Sequence, residues 1–400
     1  MVRGWGPLSH APATVLVVAV PQPVRPAYGG ASLDGLAGAL LAPPGCRPEW
    51  LPAPARDAAQ VVLLVLDGLG WDQLVPRWPL APAMADMVGG PITSVVPTTT
   101  ATALTSIATG RPPAGHGVVG YRLRVDGPSG NEVLNVLRWR TSSGDARTFV
   151  PPAAFQTILA FQGRGVPAVT RGEFLTTGFT IAHLSGTRQV GWSMPSTLAV
   201  EVRQLLVRGE PFVYAYYDGV DKVAHGYGFG AHYDAEVVAA DRLVADLAAA
   251  LPPGAALVVT ADHGQVEVGQ RARPMDADLC AGATMLSGEG RFRWLHVAPG
   301  MADSMAGAVR ERYGHEAWVW TRHELEAGGW FGGPLTDTMR ARLGDVALVP
   351  FAPVAYLDPA DPGDGRLICR HGSLTEAEML VPLLARRRGS VLPKESPAGR

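Results

Sequence analysis

The sequence predicts an α/β fold: a layered α/β/α sandwich with a mostly parallel central sheet and an inserted cap. Three observations predict it. Three apolar runs, 61–66, 212–217 and 256–260, have the length and composition of buried strands, and each runs straight into Asp or His. Helical patterns precede the second run and separate it from the third, and strands alternating with helices mark a layered domain with parallel strands. A Trp-rich stretch, 271–340, breaks that alternation and reads as an insertion.

From the N-terminus, residues 1–58 are rich in Pro, Gly and Ala and read as an irregular lead-in with one short helix over 33–41. The apolar stretch 15–20 is bounded by Pro12 and Pro21 and is too short for a signal peptide or a membrane span, so a cytoplasmic protein without a membrane partner is expected. The catalytic core is expected over 59–270 and 341–390. Within it, 92–96 is strand-like, and the segment 97–110 that follows opens a short helix. The segment 196–208 is helical with Gly209 past its end, and 234–251 carries apolar residues at Val237, Val238, Leu243, Val244, Leu247 and Leu251. The insertion 271–340 holds strand-like pieces at 291–297 and 317–321. Thr375, Glu376, Ala377 and Glu378 resemble a capping box ahead of the apolar run 379–384, and 391–400 is a tail.

Charge and cysteine content exclude several functions. The net charge is −2 with no run of like charges, so a small molecule is expected as partner and a nucleic-acid polymer is not. Cys46, Cys280 and Cys369 lie far apart without CxxC spacing, which indicates neither a thiolate zinc site nor a disulfide framework.

Chemistry concentrates where the apolar runs end. Asp67, Asp218 with Asp221, and Asp262 with His263 each follow such a run, and ligands of parallel sheets bind beyond the carboxyl ends of strands. Asp221 and His225 are four residues apart and converge on one ion if the backbone is helical there. Arg370, His371 and Gly372 add a further imidazole. The threonines at 98–102 precede a helix, whose N-terminal N–H groups favour an anion; the same residues also suit simple helix capping.

In order, Asp67, Pro97-Thr98-Thr99-Thr100 with Ser106 and Thr109-Gly110, His116-Gly117, Asp221 with His225, Asp262-His263-Gly264 and His371-Gly372 resemble the nucleotide pyrophosphatase/phosphodiesterase branch of the alkaline phosphatase superfamily. The resemblance covers 61–385 and leaves 1–58 and 271–340 aside. It implies an alkaline phosphatase-like fold, Thr100 as nucleophile through a phosphothreonine intermediate, and two divalent metal ions. One ion would be held by Asp67, Thr100, Asp262 and His263, the other by Asp221, His225 and His371. The family usually uses zinc, which mixed carboxylate and imidazole ligands suit; Mn²⁺ and Fe suit them too. Charge supports the ions independently, because three crowded carboxylates repel one another unless cations offset them.

One departure concerns the substrate. Where the family usually places an Asn that donates to a phosphate oxygen, this chain has Tyr121; the substrate-binding role falls to Tyr121, Arg122 or Asn135. The Phe-Pro-Asn-His stretch common after the family's nucleophile is replaced by Ala101-Thr102-Ala103-Leu104, which removes an aromatic ring that often faces a nucleobase. The expected activity is cleavage of phosphodiester or pyrophosphate bonds. The alternatives are a phosphomonoesterase or phosphonate hydrolase on the same two-metal site, and a non-catalytic metal-dependent binding protein. Thr99 is the nearest rival to Thr100. His116 is expected to be structural, Asp218 either supports the site or is a solvated acid, and Arg138, Trp139 and Trp192 read as packing and surface residues.

Overall fold

The structure, a computed structural model, describes residues 20–361 and 364–389. Most of the apolar stretch 15–20 and the whole tail 391–400 therefore lie outside the described residues.

Thirteen strands carry the argument. They are β1 Val61–Leu66, β2 Val88–Thr93, β3 Arg122–Gly127, β4 Gly130–Asn135, β5 Pro167–Arg171, β6 Arg188–Trp192, β7 Phe212–Tyr217, β8 Ala256–Thr260, β9 Met285–Glu289, β10 Phe292–His296, β11 Ala317–Thr321, β12 Val346–Pro350 and β13 Leu380–Arg387. Six helices matter: α1 Leu33–Leu41, α2 Thr100–Thr109, α3 Gly178–His183, α4 Pro195–Val207, α5 Gly219–Tyr227 and α6 Ala231–Ala250.

Seven strands form the central sheet in the order β2-β13-β8-β1-β7-β5-β6. From β8 to β6 all neighbours are parallel, and only β13 runs against its neighbours. The all-apolar sequences of β1, β7 and β8 follow from this position, since every residue of all three is buried and both faces of such a sheet are covered. Helix α1 packs on α2, while α4 and α5 pack on α6, and these groups cover the sheet. The fold is thus the layered α/β sandwich with a mostly parallel sheet that the strand pattern predicts.

Parallel register aligns the ends of the central strands. Leu66 pairs with Tyr217 and Val65 with Thr260, so Asp67, Asp218 and Asp262 all emerge at one edge of the sheet.

Several boundaries and one element differ from expectation. The strand expected at 92–96 ends at Thr93. Val95 and Val96 are fully buried without strand pairing, because Pro97 cannot donate to a ladder and the chain must instead turn towards α2. Helix α4 begins at Pro195, a residue suited to the first helical position, and α6 starts three residues earlier than its apolar pattern. The run 379–384 belongs mostly to the antiparallel strand β13. The capping box ahead of it does not form, since the Thr375 hydroxyl donates to the Glu378 carboxylate and no N–H donates to it.

The lead-in is tied down where it is described. The Val24 N–H donates to Leu374 O, the Ala27 N–H to Thr93 Oγ1, and the Tyr28 hydroxyl to Trp330 O. Beyond residue 271 a second sheet runs in the order β9-β10-β12-β11, antiparallel throughout, and it takes β12 from beyond position 340. Leu295 and Val346 of this sheet form, with Val309 of the helix Ala302–Tyr313, part of a separate apolar cluster, whereas Phe292, Trp294 and Trp318 of the sheet join the main core. Among the described residues no helix is long and apolar enough to cross a membrane.

Candidate active site

Asp67 follows β1, and its N–H donates to Tyr217 O at 2.9 Å, so the acid is fixed by the sheet itself. The chain then turns at Gly68, whose φ of +72° lies in the left-handed region; a Cβ there would also stand 2.9 Å from the Asp221 Cβ. Asp221 and His225 sit one turn apart on α5, with His225 Nε2 3.2 Å from Asp221 Oδ1. Asp262 and His263 follow β8. Asp262 Oδ1 accepts from the N–H groups of Gly68 and His263, each at 3.0 Å, which joins the ends of the two strands.

Thr100 opens α2, where the first backbone N–H groups lack helical partners. Its Oγ1 lies 3.1 Å from His263 Nε2. His371 arrives from far along the chain and stacks on His263, with ring centroids 3.6 Å apart. The structure thereby brings together Asp67, Thr100, Asp221, His225, Asp262, His263 and His371.

Three imidazoles share one orientation rule. His225 Nδ1 is 2.7 Å from Cys369 O, His371 Nδ1 is 2.8 Å from Thr98 O, and His263 Nδ1 is 3.1 Å from Gly264 O. A carbonyl only accepts, so each Nδ1 carries a proton, and each Nε2 is turned towards the carboxylates, where it can ligate a cation once unprotonated. Backbone carbonyls commonly orient metal-binding histidines in this way.

Two groups of donor atoms result: Asp221, His225 and His371, and Asp67, Asp221 and His263, with ligand atoms within 4.8 Å of one another in each. Asp221 is common to both, a closer juxtaposition than the division implied by the motifs. Asp262 stands at the edge, its Oδ2 3.4 Å from His263 Nε2. Burial, then the charges of Asp262 and Asp221, push the Asp67 carboxyl well above its usual range. Burial likewise raises Asp262. Burial alone would raise Asp221 too, but His225, His371 and His263 pull it below the usual range, and His225 is raised in return.

The residues expected to bind substrate separate. Tyr121 faces a cavity of about 240 Å³ that Thr100, Asp221, His225 and His371 also line. Asn135 reaches it only through Tyr121, donating to the phenolic oxygen at 2.6 Å. Arg122 does not line this cavity: its guanidinium is buried against Asp358 at 2.6 Å and Asp361 at 3.5 Å.

Other residues resolve as follows. Asp218 is a buried acid held by Arg171 at 2.6 Å and Lys222 at 2.5 Å. His116 bonds Ser106 Oγ at 2.8 Å and the Val118 N–H at 3.1 Å, away from the donor groups. Trp139 and Trp192 are buried, each with its indole N–H on a backbone carbonyl. Arg138 is exposed at the rim of a second cavity.

That second cavity, about 300 Å³, also opens on Thr100 and Asp221 and is walled by Leu104, Phe174, Phe179, His183 and Tyr214. Phe174, Phe179 and His183 lie outside the motifs, and nothing in their sequence spacing marks them. Tyr216, whose hydroxyl donates to Asp67 Oδ2, and Gln265, whose amide donates to Asp221 Oδ1 at 3.0 Å, were also missed. Their nearness to the strand-end acids was the available signal.

A model of the type I phosphodiesterase / nucleotide pyrophosphatase family matches residues 61–350. No curated protein matches the chain in sequence. Among solved structures, murine ectonucleotide pyrophosphatase / phosphodiesterase 5 is similar at TM-score 0.59 and 17% identity, covering 82% of this chain and 87% of that one. The inactive form of that murine protein in complex with AMP is similar at TM-score 0.59 and 16% identity, with the same coverage. Phosphonoacetate hydrolase from Sinorhizobium meliloti, in complex with phosphonoformate, is similar at TM-score 0.55 and 19% identity, covering 85% of this chain and 92% of that one. At these identities the likenesses concern the fold.

Proposed function

The chain belongs to the type I phosphodiesterase / nucleotide pyrophosphatase family and is a hydrolase of that type, and from that premise we propose that it cleaves phosphodiester or pyrophosphate bonds through a phosphothreonine intermediate on Thr100. The observation that carries the choice of substrate class is the meeting of two cavities at Thr100 and Asp221. A diester or pyrophosphate bears a substituent on each side of the attacked phosphorus, whereas the phosphoryl group of a monoester carries a substituent on one side only.

The residues present fit a pair of divalent cations. Asp67 Oδ1 and Asp262 Oδ2 are buried without a hydrogen-bond partner, and buried polar atoms in that state call for a ligand. The three Nε2 lone pairs complete a nitrogen and oxygen donor set that suits zinc, and also Mn²⁺ or Fe. Asp67, Asp262 and His263 would hold one ion beside Thr100, and Asp221, His225 and His371 the other. Such ions supply Lewis-acid stabilisation of phosphoryl oxygens and acidify a coordinated hydroxyl.

The chain's own residues account for positioning. Thr100 Oγ1 attacks phosphorus as the bond to the leaving oxygen breaks; the threonine proton passes to solvent, and the leaving oxygen gains one from solvent. The free N–H groups at the start of α2 face the developing negative charge. Water then attacks the phosphothreonine and releases Thr100. Phe174 and Phe179 offer apolar walls to the group that stays on phosphorus, and a nucleoside monophosphate such as AMP has the right chemistry for it.

The phosphonate-hydrolase reading draws support from the fold likeness to phosphonoacetate hydrolase. Turnover of matched nitrophenyl diester and monoester substrates, with zinc and after chelation, decides between them. Chelator-sensitive preference for the diester is expected. Preference for the monoester or a phosphonate would overturn the proposal, and turnover by neither would favour the binding-protein alternative. A cytoplasmic location is part of the proposal.

A further inference from the structure

His183 ends helix α3 in the wall of the 300 Å³ cavity and is only 4% exposed. Its Nδ1 lies 2.8 Å from Phe179 O, one turn earlier on the same helix, and the two rings stack with centroids 4.0 Å apart, which fixes the orientation of the imidazole. A carbonyl only accepts, so Nδ1 carries a proton. Burial pushes the imidazolium pKa down to about 4, with the Phe179 carbonyl pulling the other way, and the ring is therefore neutral near pH 7. Nε2 is left as an acceptor, and among the described residues no donor reaches it. Thr170 Oγ1, on β5 in the same wall, is also buried without a hydrogen-bond partner. Leu104, Phe174 and Phe179 around them offer apolar side chains only. Buried polar atoms are ordinarily satisfied, so an orphaned acceptor in an apolar cavity points to a donor that the ligand brings.

We propose that His183 is a specificity-determining residue that selects a base bearing an exocyclic amino group: Nε2 accepts from that amino group, and Thr170 Oγ1 donates to the ring nitrogen beside it. The proposal rests on the reading above, in which the group that stays on phosphorus occupies this cavity, and it adds the edge that the group must present. The lone pair of Nε2 lies in the plane of the imidazole, so the amino group meets it edge-on while the faces of the base are left to the phenylalanine rings. An occupant without a donor would leave the buried acceptor unpaired. A site built to bond a polar group rejects the analogue that lacks it far more strongly than an apolar pocket rejects a small change of size.

The test compares AMP with purine riboside 5′-monophosphate, which has the same rings, sugar and phosphate but no amino group, by titration calorimetry on the zinc-loaded full chain. AMP should bind about tenfold more tightly. His183→Leu should bring the two ligands to equal affinity, because the acceptor is gone. Thr170→Val should weaken both alike, since both carry the ring nitrogen, and binding of both as in the wild type would overturn the part given to Thr170. Equal affinity of the wild type for the two ligands, or binding of neither, would overturn the proposal, as would a preference for AMP that survives in His183→Leu. The wild-type comparison decides whether or not the variants fold. A wild type that prefers AMP but does not turn over bis-nitrophenyl phosphate would count against the phosphoryl-transfer reading and support the role of His183.

Discussion

Replacing Glu378 by Ala should destabilise the protein far more than an ordinary surface change, because Glu378 neutralises a guanidinium that has no access to solvent. Arg291 and Glu378 are both 0% exposed. Arg291 Nε and Nη2 donate to the two carboxylate oxygens at 2.7 Å each, and the same guanidinium donates to the carbonyls of Pro350, Ala352 and Val354. Those carbonyls satisfy hydrogens but do not cancel the charge. Breaking a buried pair from one side costs about 3–5 kcal/mol. With an unfolding entropy of about 2.1 cal/mol/K per residue, a chain of this length loses about 1.2 °C of Tm per kcal/mol, so a shift of about 4–6 °C is expected by scanning calorimetry. Glu378 Oε1 also accepts from the Ser373 N–H at 3.0 Å, two residues from His371, so zinc affinity should fall in the same variant. The double variant Arg291→Met/Glu378→Leu should recover much of the stability, since the uncompensated charge is gone. A single-variant cost below about 1 kcal/mol would show that water or another group reaches Arg291, and the reasoning would fail.

Thr100→Ala should abolish diester turnover while Thr99→Ala retains most of it, and phosphoenzyme trapped by acid quench should map to Thr100; label on Thr99 would reassign the nucleophile. Zinc should raise Tm more at pH 8 than at pH 5. The sign follows from Asp67 and Asp262, whose carboxyls are raised in the folded protein: between the unfolded pKa and the folded one the native state binds more protons, so metal-free stability falls as pH rises, and cations offset that loss. At one fixed zinc concentration, one hundred times the Kd at pH 8, the gain there is about 2.7 kcal/mol, or about 3 °C, and an equal gain at pH 5 would contradict it. Tyr216→Phe removes the donor on Asp67 Oδ2 and should weaken zinc binding about 10–100-fold by competition with a chromophoric chelator; unchanged affinity would mean that Asp67 is held by the strand alone.

What was legible in the sequence was local. An apolar run that ends in an acid reports both a buried strand and an acid at its carboxyl end, and parallel register then carries Asp67, Asp218 and Asp262 to one end of the sheet whatever lies between them. The helical spacing of Asp221 and His225 is equally local, and α5 places both on one side. Decisions made by distant partners were not legible. Thr375 and Glu378 have capping-box spacing, but Arg291, eighty-seven residues earlier, claims both oxygens of Glu378, and no pattern within the motif reports that. Arg122 looked as suitable an anion ligand as Tyr121 until Asp358 and Asp361 met it from the far end of the chain.

The same distinction explains why the reaction type was easier to read than the substrate. The groups proposed for phosphoryl transfer hang from strand ends and helix starts, where a short motif determines side-chain direction. The walls of the 300 Å³ cavity come instead from the segment around α3, from β7 and from α2, and Phe174, Phe179 and His183 acquire meaning only once the fold sets them beside Thr100. Loss of the aromatic ring expected after the nucleophile therefore does not leave the site without one: Leu104 lines the wall on α2, while Phe174 and Phe179 supply rings from elsewhere in the chain. An aromatic face can be carried by any element that reaches the cavity, whereas an in-line nucleophile must sit on the one helix start that faces the donor groups.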